Sequence, residues 1–387
     1  MLKKIFRVIL IIVILAAIVF FTIAPGVIDK SMNKVVHVAS SSEKAGWYDS
    51  IPFIADLHCD ALLWDRNLLD RHDHGHVDLP RMQEANEAFQ VFTIVSKTPR
   101  NMNYDKNTGD TDQIALLSFA QLKSPADWFS LKSRAIHQCE ELAEFANDSK
   151  GAFRLITNQK ELLQFITDRK SNRSLTSGML GLEGAHCLEN DLSNLDEFYE
   201  KGVRYIGLTH FFDNEWAGSA HGITKGGLTE KGRKLIKKMD DLHIIIDIAH
   251  ASPQAIQDIF ELTDGPLILS HGGVKGTCDN IRNLSDAQIT EVGKRNGLIG
   301  IGLWETAVCG TDAEATARAI KYVADMIGVD KVALGSDFDG ATTSSYDING
   351  FPVLVNELIK KGFTREDIGK IMGGNIRNFM LANLPPN

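Results

Sequence analysis

Cysteine is scarce and scattered in this 387-residue chain: Cys59, Cys139, Cys187, Cys278 and Cys309 are odd in number and widely spaced. That pattern excludes a zinc ribbon and a dense disulfide framework, and the five read as buried small hydrophobes with no disulfide expected. Concentrated basic charge is also missing. The 41 Lys and Arg are spread along the chain against 50 Asp and Glu, a net charge of −9, which argues against a nucleic-acid partner and for a small-molecule substrate. There is no low-complexity tract and no short-period repeat, so disorder and solenoid architectures are excluded. No Gly-rich dinucleotide fingerprint follows the first β-rich run, which disfavours an open doubly wound sheet.

One long apolar run is present. Lys3, Lys4 and Arg7 precede an uninterrupted apolar stretch from Val8 to Ile23, and Pro25-Gly26 are expected to break it. A crossing helix needs ~20 residues, which Ile5 and Phe6 help to supply while Arg7 snorkels outward. Thr22-Ile23-Ala24 followed by Pro25 is a poor cleavage site, so residues 1–26 read as an uncleaved single-pass anchor rather than a removed signal. The basic flank should stay cytoplasmic and place the remainder on the extracytoplasmic side, periplasmic or extracellular. Residues 27–50 read as a linker and residues 51–387 as the catalytic body.

The body alternates short β-rich runs with stretches of helical spacing, the signature of βα units around a parallel sheet. Eight runs can be counted: 53–60, 89–95, 179–183, 203–210, 244–250, 267–271, 298–303 and 332–337. Eight closes a (β/α)₈ TIM-like barrel. Helices are expected over Arg134 to Ala146, Thr229 to Asp241 and Thr316 to Ile327.

Polar residues close these runs on one rim: His58 and Asp60, then Glu183, His210, His250, His271 and Asp337. A lone His-x-Asp is usually a satisfied histidine beside a surface carboxylate. Single His or Glu residues at four further strand ends change that balance, because strand C-termini converge in a barrel. His58 and Asp60 project to one side of their strand. The set exceeds what one tetrahedral zinc needs, so two ions sharing Glu183 are expected: His58, Asp60 and Glu183 for one, and Glu183, His250 and His271 for the other. Zinc suits imidazole with carboxylate, and manganese or iron would fit. Two ions ~3.5–4 Å apart can hold a bridging hydroxide at neutral pH. His210 is the candidate donor to the attacked carbonyl, and Asp337 the candidate proton carrier, with a turn or a sixth ligand as its alternatives.

These residues resemble the membrane dipeptidase (renal dipeptidase) family of binuclear zinc peptidases. The matching stretches are Asp56-Leu57-His58-Cys59-Asp60, Val77-Asp78-Leu79-Pro80-Arg81, Gly181-Leu182-Glu183-Gly184-Ala185-His186, Leu208-Thr209-His210, Asp247-Ile248-Ala249-His250, Ser270-His271, Asn280-Ile281-Arg282-Asn283 and Gly335-Ser336-Asp337-Phe338-Asp339-Gly340. The resemblance implies a barrel of the metal-dependent hydrolase type and the five ligands already named. It further implies that His210 polarises the substrate, that Asp337 transfers protons, and that Arg282 grips the substrate's C-terminal carboxylate. The family cleaves dipeptides, often with a C-terminal D-residue, and some members open β-lactams. The loop Phe211 to Gly222 looks like a bacterial version of the pattern, and the anchor lies at the opposite end from the lipid tether of renal members.

Arg71-His72-Asp73-His74-Gly75-His76 looks like a metal tract but falls in a loop that the resemblance leaves without a ligand, and His186 and His221 read as supporting or loop residues. The competing readings are another amidohydrolase-type barrel, acting on lactones, β-lactams or amides, and a non-catalytic binding paralogue. Many dinuclear barrels use a modified lysine on the fourth strand; here that strand closes with His210. A homodimer is compatible with the sequence.

Overall fold

The computed structural model describes residues 1–36 and 44–387; residues 37–43, inside the expected linker, lie outside the described residues. All eight expected strands form: β1 (Ile54–Cys59), β2 (Glu87–Ile94), β3 (Thr176–Glu183), β4 (Val203–Gly207), β5 (Ile245–Asp247), β6 (Leu267–Leu269), β7 (Leu298–Ile301) and β8 (Val332–Leu334). They pair in sequence order, every pair parallel. The seam between β8 and β1 is drawn together by a parallel bridge between Cys59 and Phe338, and by the Ser336 amide donating to Asp56 Oδ1 at 2.8 Å. The result is a nearly closed (β/α)₈ barrel. A short strand outside the expected set, Phe153–Leu155, adds to the start of β3.

The strands are apolar on both faces because helices cover the outside. Leu57, Val91, Met179, Tyr205, Ile245, Ile268, Leu298 and Ala333, one from each strand, belong to one apolar cluster. Their alternate neighbours, such as Phe92, Leu180, Ile206, Ile246, Leu269, Ile299 and Leu334, belong to another. This period of two separates barrel interior from helix-facing surface. Ile376, Phe379 and Met380 of the helix Asn375–Asn383 join the interior set and plug the barrel at the strand starts. Gly373 permits that approach: a Cβ there would meet the Phe53 carbonyl oxygen at 2.5 Å.

The three expected helices are Leu131–Asp148, Glu230–Asp241 and Ala313–Ile327. Ser130, Thr229 and Asp312 cap them by accepting from the amides of Ser133, Gly232 and Ala315, which sets the N-termini more sharply than apolar spacing can.

Two expectations are corrected. The apolar helix does not break at Pro25-Gly26 but runs as α1 (Leu2–Met32). Its last turns are held by the barrel. Asp29, only 2% exposed, pairs with Arg66 at 2.9 Å, and Arg66 pairs in turn with Asp339 at 2.8 Å. Asn33 Oδ1 accepts from the Ala341 amide, and Lys34–Val35 lie parallel to Thr343–Ser344. These contacts outweigh the backbone hydrogen bond that Pro25 removes.

The other correction is a disulfide, Cys278–Cys309, with Cα atoms 5.3 Å apart, while Cys59, Cys139 and Cys187 are free and buried. The 31-residue separation gave no local signal; folding of the loops after β6 and β7 brings the pair together. The bond ties the loop carrying Arg282 to the short helix Glu305–Val308. Closing a loop of this length stabilises a fold by about 2–4 kcal/mol. Cys278→Ser should therefore lower stability by about that amount in denaturant titrations, and reductant should have the same effect on the wild type but none on the variant.

Candidate metal centre

The strands deliver the ligands differently. His58 lies within β1, Asp60 just past it, and Glu183 is the last residue of β3. His210, His250, His271 and Asp337 stand two or three residues beyond the ends of β4, β5, β6 and β8, so the β-rich runs reach further than the paired strands. Leaving the ladder lets the backbone turn inward. His250 (φ 59°) and Asp337 (φ 61°) adopt the left-handed conformation, which is costly for residues with a Cβ and concentrated at functional sites.

Glu183 is the hub. Its Oε1 lies 3.1 Å from His250 Nε2, 3.3 Å from His271 Nε2 and 3.5 Å from His58 Nε2, and its Oε2 lies 3.3 Å from His210 Nε2. His58 Nε2 is also 3.4 Å from Asp60 Oδ1 and 3.9 Å from Asp337 Oδ1. Among the described residues, ligand atoms lie close enough to share a cation in His58 with Glu183 and His271, in Glu183 with His210 and His250, and in His58 with Asp60 and Asp337. All five expected ligands meet here, with His210 and Asp337 at comparable range. The expected set Glu183, His250 and His271 also comes together, with Glu183 Oε1 and the two Nε2 atoms within 3.3 Å of one another, and His271 lies beside His58 as well.

Behind the ligands lies a hydrogen-bonded layer that the sequence reading did not single out. Tyr205 donates its hydroxyl to the Leu57 carbonyl at 3.1 Å, leaving its oxygen to accept from His58 Nδ1 at 3.1 Å. Ser270 donates to Asp247 Oδ2 at 2.6 Å and faces His271 Nδ1 at 2.8 Å. Each arrangement places an N–H on Nδ1 and turns Nε2 toward Glu183. Thr93 donates to Asp60 Oδ1. The available signal was a polar residue within or at the end of an otherwise apolar run, as at Tyr205, Asp247 and Ser270.

The electrostatics call for positive charge. Burial, and then Asp60, push the Glu183 carboxyl well above its ordinary range. Burial disfavours the His58 imidazolium, yet Asp60 and Glu183 outweigh it and raise its pKa to about 10. A proton on Nε2 thus stands where a cation would go. His210, His250 and His271 are held neutral by burial, reinforced by His186, by Arg282 and by His58 respectively. The Nε2 atoms of His250 and His271 face each other at 3.1 Å, and His58 Nε2 has no hydrogen-bond partner. Neutral imidazoles and carboxylates aimed at one point suit divalent cations well.

Around this centre is a cleft of about 510 Å³, lined by Asp60, Glu183, His210, His250, Arg282 and Asp337 among others. Arg282 lies over Trp304, 5.0 Å from its ring centroid, with Nη2 3.0 Å from His250 Nε2. Burial raises the Asp337 pKa to about 7. The decoys lie outside the three groups: His74 pairs with Asp29 at 3.1 Å, His76 with Asp339 at 3.3 Å, His186 packs on Phe212, and His221 stacks on Phe211.

A parallel barrel with imidazoles and carboxylates converging past its strand ends defines a barrel metallohydrolase. Residues 50–381 match the family described as membrane dipeptidase (peptidase family M19), and the chain belongs to that family. It is an enzyme of the metallo-dipeptidase class. It is 27% identical over 344 residues to dipeptidase aclJ of Aspergillus oryzae, covering 84% of this chain and 76% of that protein. It is 30% identical over 330 residues to mouse dipeptidase 3, covering 82% of this chain and 64% of the other. A metallopeptidase structure from Rhodobacter sphaeroides, liganded with a phosphinate mimic of the dipeptide L-Ala-D-Ala, superimposes with a TM-score of 0.70 at 24% identity, covering 86% of this chain and 99% of that one.

A cation held by His58 Nε2 would displace the proton there. Titration calorimetry in buffers of different ionisation enthalpy should show about one proton released on filling the site that includes His58 near pH 8, with affinity rising as pH climbs toward 10. Ser270→Ala, which frees the His271 ring, should weaken metal binding by about 10–100-fold in chelator competition.

Proposed function

We propose that this enzyme hydrolyses the peptide bond of dipeptides, including those ending in a D-residue, using two zinc ions held by His58, Asp60, Glu183, His250 and His271. The observation that carries this reading is the Glu183 carboxylate, within 3.5 Å of four imidazoles on four other strand ends. Cations at that position would supply an acidified water and a positive field for the carbonyl oxygen's developing charge.

The chain's own residues supply the rest. Arg282 receives the substrate's C-terminal carboxylate in a bidentate fork, with Trp304 restricting its plane. That clamp sets the scissile carbonyl a short distance from the centre and favours dipeptides over longer chains. His210, neutral through burial, donates an N–H to the carbonyl oxygen as negative charge builds there. Asp337, poised near neutrality, takes a proton from the attacking water and gives it to the departing amine. The dipeptide-mimic complex of the Rhodobacter sphaeroides relative supports a substrate with a D-residue at the C-terminal position.

The chain is further proposed to be anchored by α1, with residues 51–387 on the extracytoplasmic side. The basic residues before the apolar run support this orientation, and so does the Cys278–Cys309 disulfide, which persists in oxidising compartments.

The zinc-loaded enzyme should cleave L-Ala-L-Ala and L-Ala-D-Ala but leave tripeptides nearly untouched; no turnover of any dipeptide would sink the proposal. Asp337→Asn should lower kcat by about 10²–10⁴-fold. Arg282→Ala should raise KM for free dipeptides while leaving the poor turnover of C-terminally amidated ones unchanged.

A further inference from the structure

The cleft that holds the catalytic residues is walled on one side by the apolar helix itself. Phe20, Ile28 and Met32 of α1 line the same cavity as Glu183, Arg282 and Asp337. Phe20 lies inside the apolar run Val8 to Ile23, so the cavity extends from the metal centre to a residue at bilayer depth. The helix is not free to swing away, because the buried Asp29–Arg66–Asp339 chain and the Lys34–Val35 pairing fix its end to the rim.

Beside α1 stands α2 (Ile114–Ala120), with the turn and short helix that follow it to Phe129. Phe119 packs edge-on against Phe21, with ring centroids 5.3 Å apart. A side chain touching Phe21 shares its depth, and Phe21 lies about 3 Å inside the end of the apolar segment at 1.5 Å rise per residue. From this segment Leu116, Phe119, Leu122 and Phe129 are 53%, 41%, 63% and 87% exposed. Its only charged residues are turned inward: Lys123 pairs with Asp65 and Glu141, and Asp127 is 2% exposed. Exposed apolar side chains without outward charge among them, on a segment touching a helix read as membrane-crossing, fit lipid rather than water.

We infer that residues 114–129 form a second membrane-contact element, and that the catalytic cleft opens at the bilayer surface between this element and α1. The inference rests on the reading of α1 as a membrane anchor. It makes the bilayer boundary one lip of the substrate entrance, so that dipeptides with an apolar end approach along the interface, past Ile28, Met32 and Leu117.

Variants of the full chain with one added cysteine each test this, since Cys59, Cys139 and Cys187 are buried and the remaining two are bonded. Spin labels at Leu116→Cys and Leu122→Cys, at Leu15→Cys within α1, and at Asp264→Cys at the strand-start end of the barrel are compared in phospholipid nanodiscs. Power saturation with oxygen and with a water-soluble nickel complex reports depth. Expected is high oxygen and low nickel accessibility at 15, 116 and 122, and the reverse at 264. Lipid exposure at 15 with nickel accessibility at 116 and 122 would overturn the inference while leaving the anchor intact. Nickel accessibility at 15 would overturn the anchor as well. Low accessibility to both reagents at 116 and 122 would mean that protein covers this face, and would likewise overturn it.

Discussion

A buried carboxylate facing four imidazoles is the constraint on which the rest of the molecule depends. Glu183 lies 4% exposed, with both oxygens directed at ring nitrogens from four other strand ends. In a dry site such a charge is expensive unless opposite charge is brought to it. The polar layer behind the ligands turns that requirement into geometry. Tyr205 and Ser270 settle which nitrogen of His58 and His271 points inward, and Asp247 orients Ser270 in turn. The site is therefore arranged for cations before any cation arrives.

The barrel supplies this arrangement because its strands end together. Residues inside β1 and at the end of β3 arrive with sheet-like precision, whereas His250 and Asp337 arrive on backbone held in the left-handed region. Conformations of that kind persist where the surrounding packing over-determines them. Here the chain neighbours provide the packing: Ile248, Ala249 and Ala251 around His250, and Phe338 beside Asp337, are all buried in the core. The Cys278–Cys309 bond does the same for the loop that carries Arg282.

The apolar helix belongs to the same design. Its end is bonded into the rim through Asp29 and Asn33, and its side chains form part of the cleft wall. An appendage of this kind usually sets location alone. Here it also forms part of the wall of the space in front of the candidate metal centre.

Local patterns carried much of this in the linear chain. Eight apolar runs marked eight strands because a strand buried on both faces is largely apolar, and the polar residue closing six of them marked the rim. His58, Asp60 and Glu183 were legible for that reason; Arg282 was not, and only resemblance to a family drew attention to it. The Cys278–Cys309 bond and the continuation of α1 through Pro25 to Met32 were decided by tertiary structure alone. Each depends on contacts between segments tens to hundreds of residues apart. Residue type and spacing determine what a segment prefers by itself, whereas the distance between two distant segments exists only once the barrel has closed.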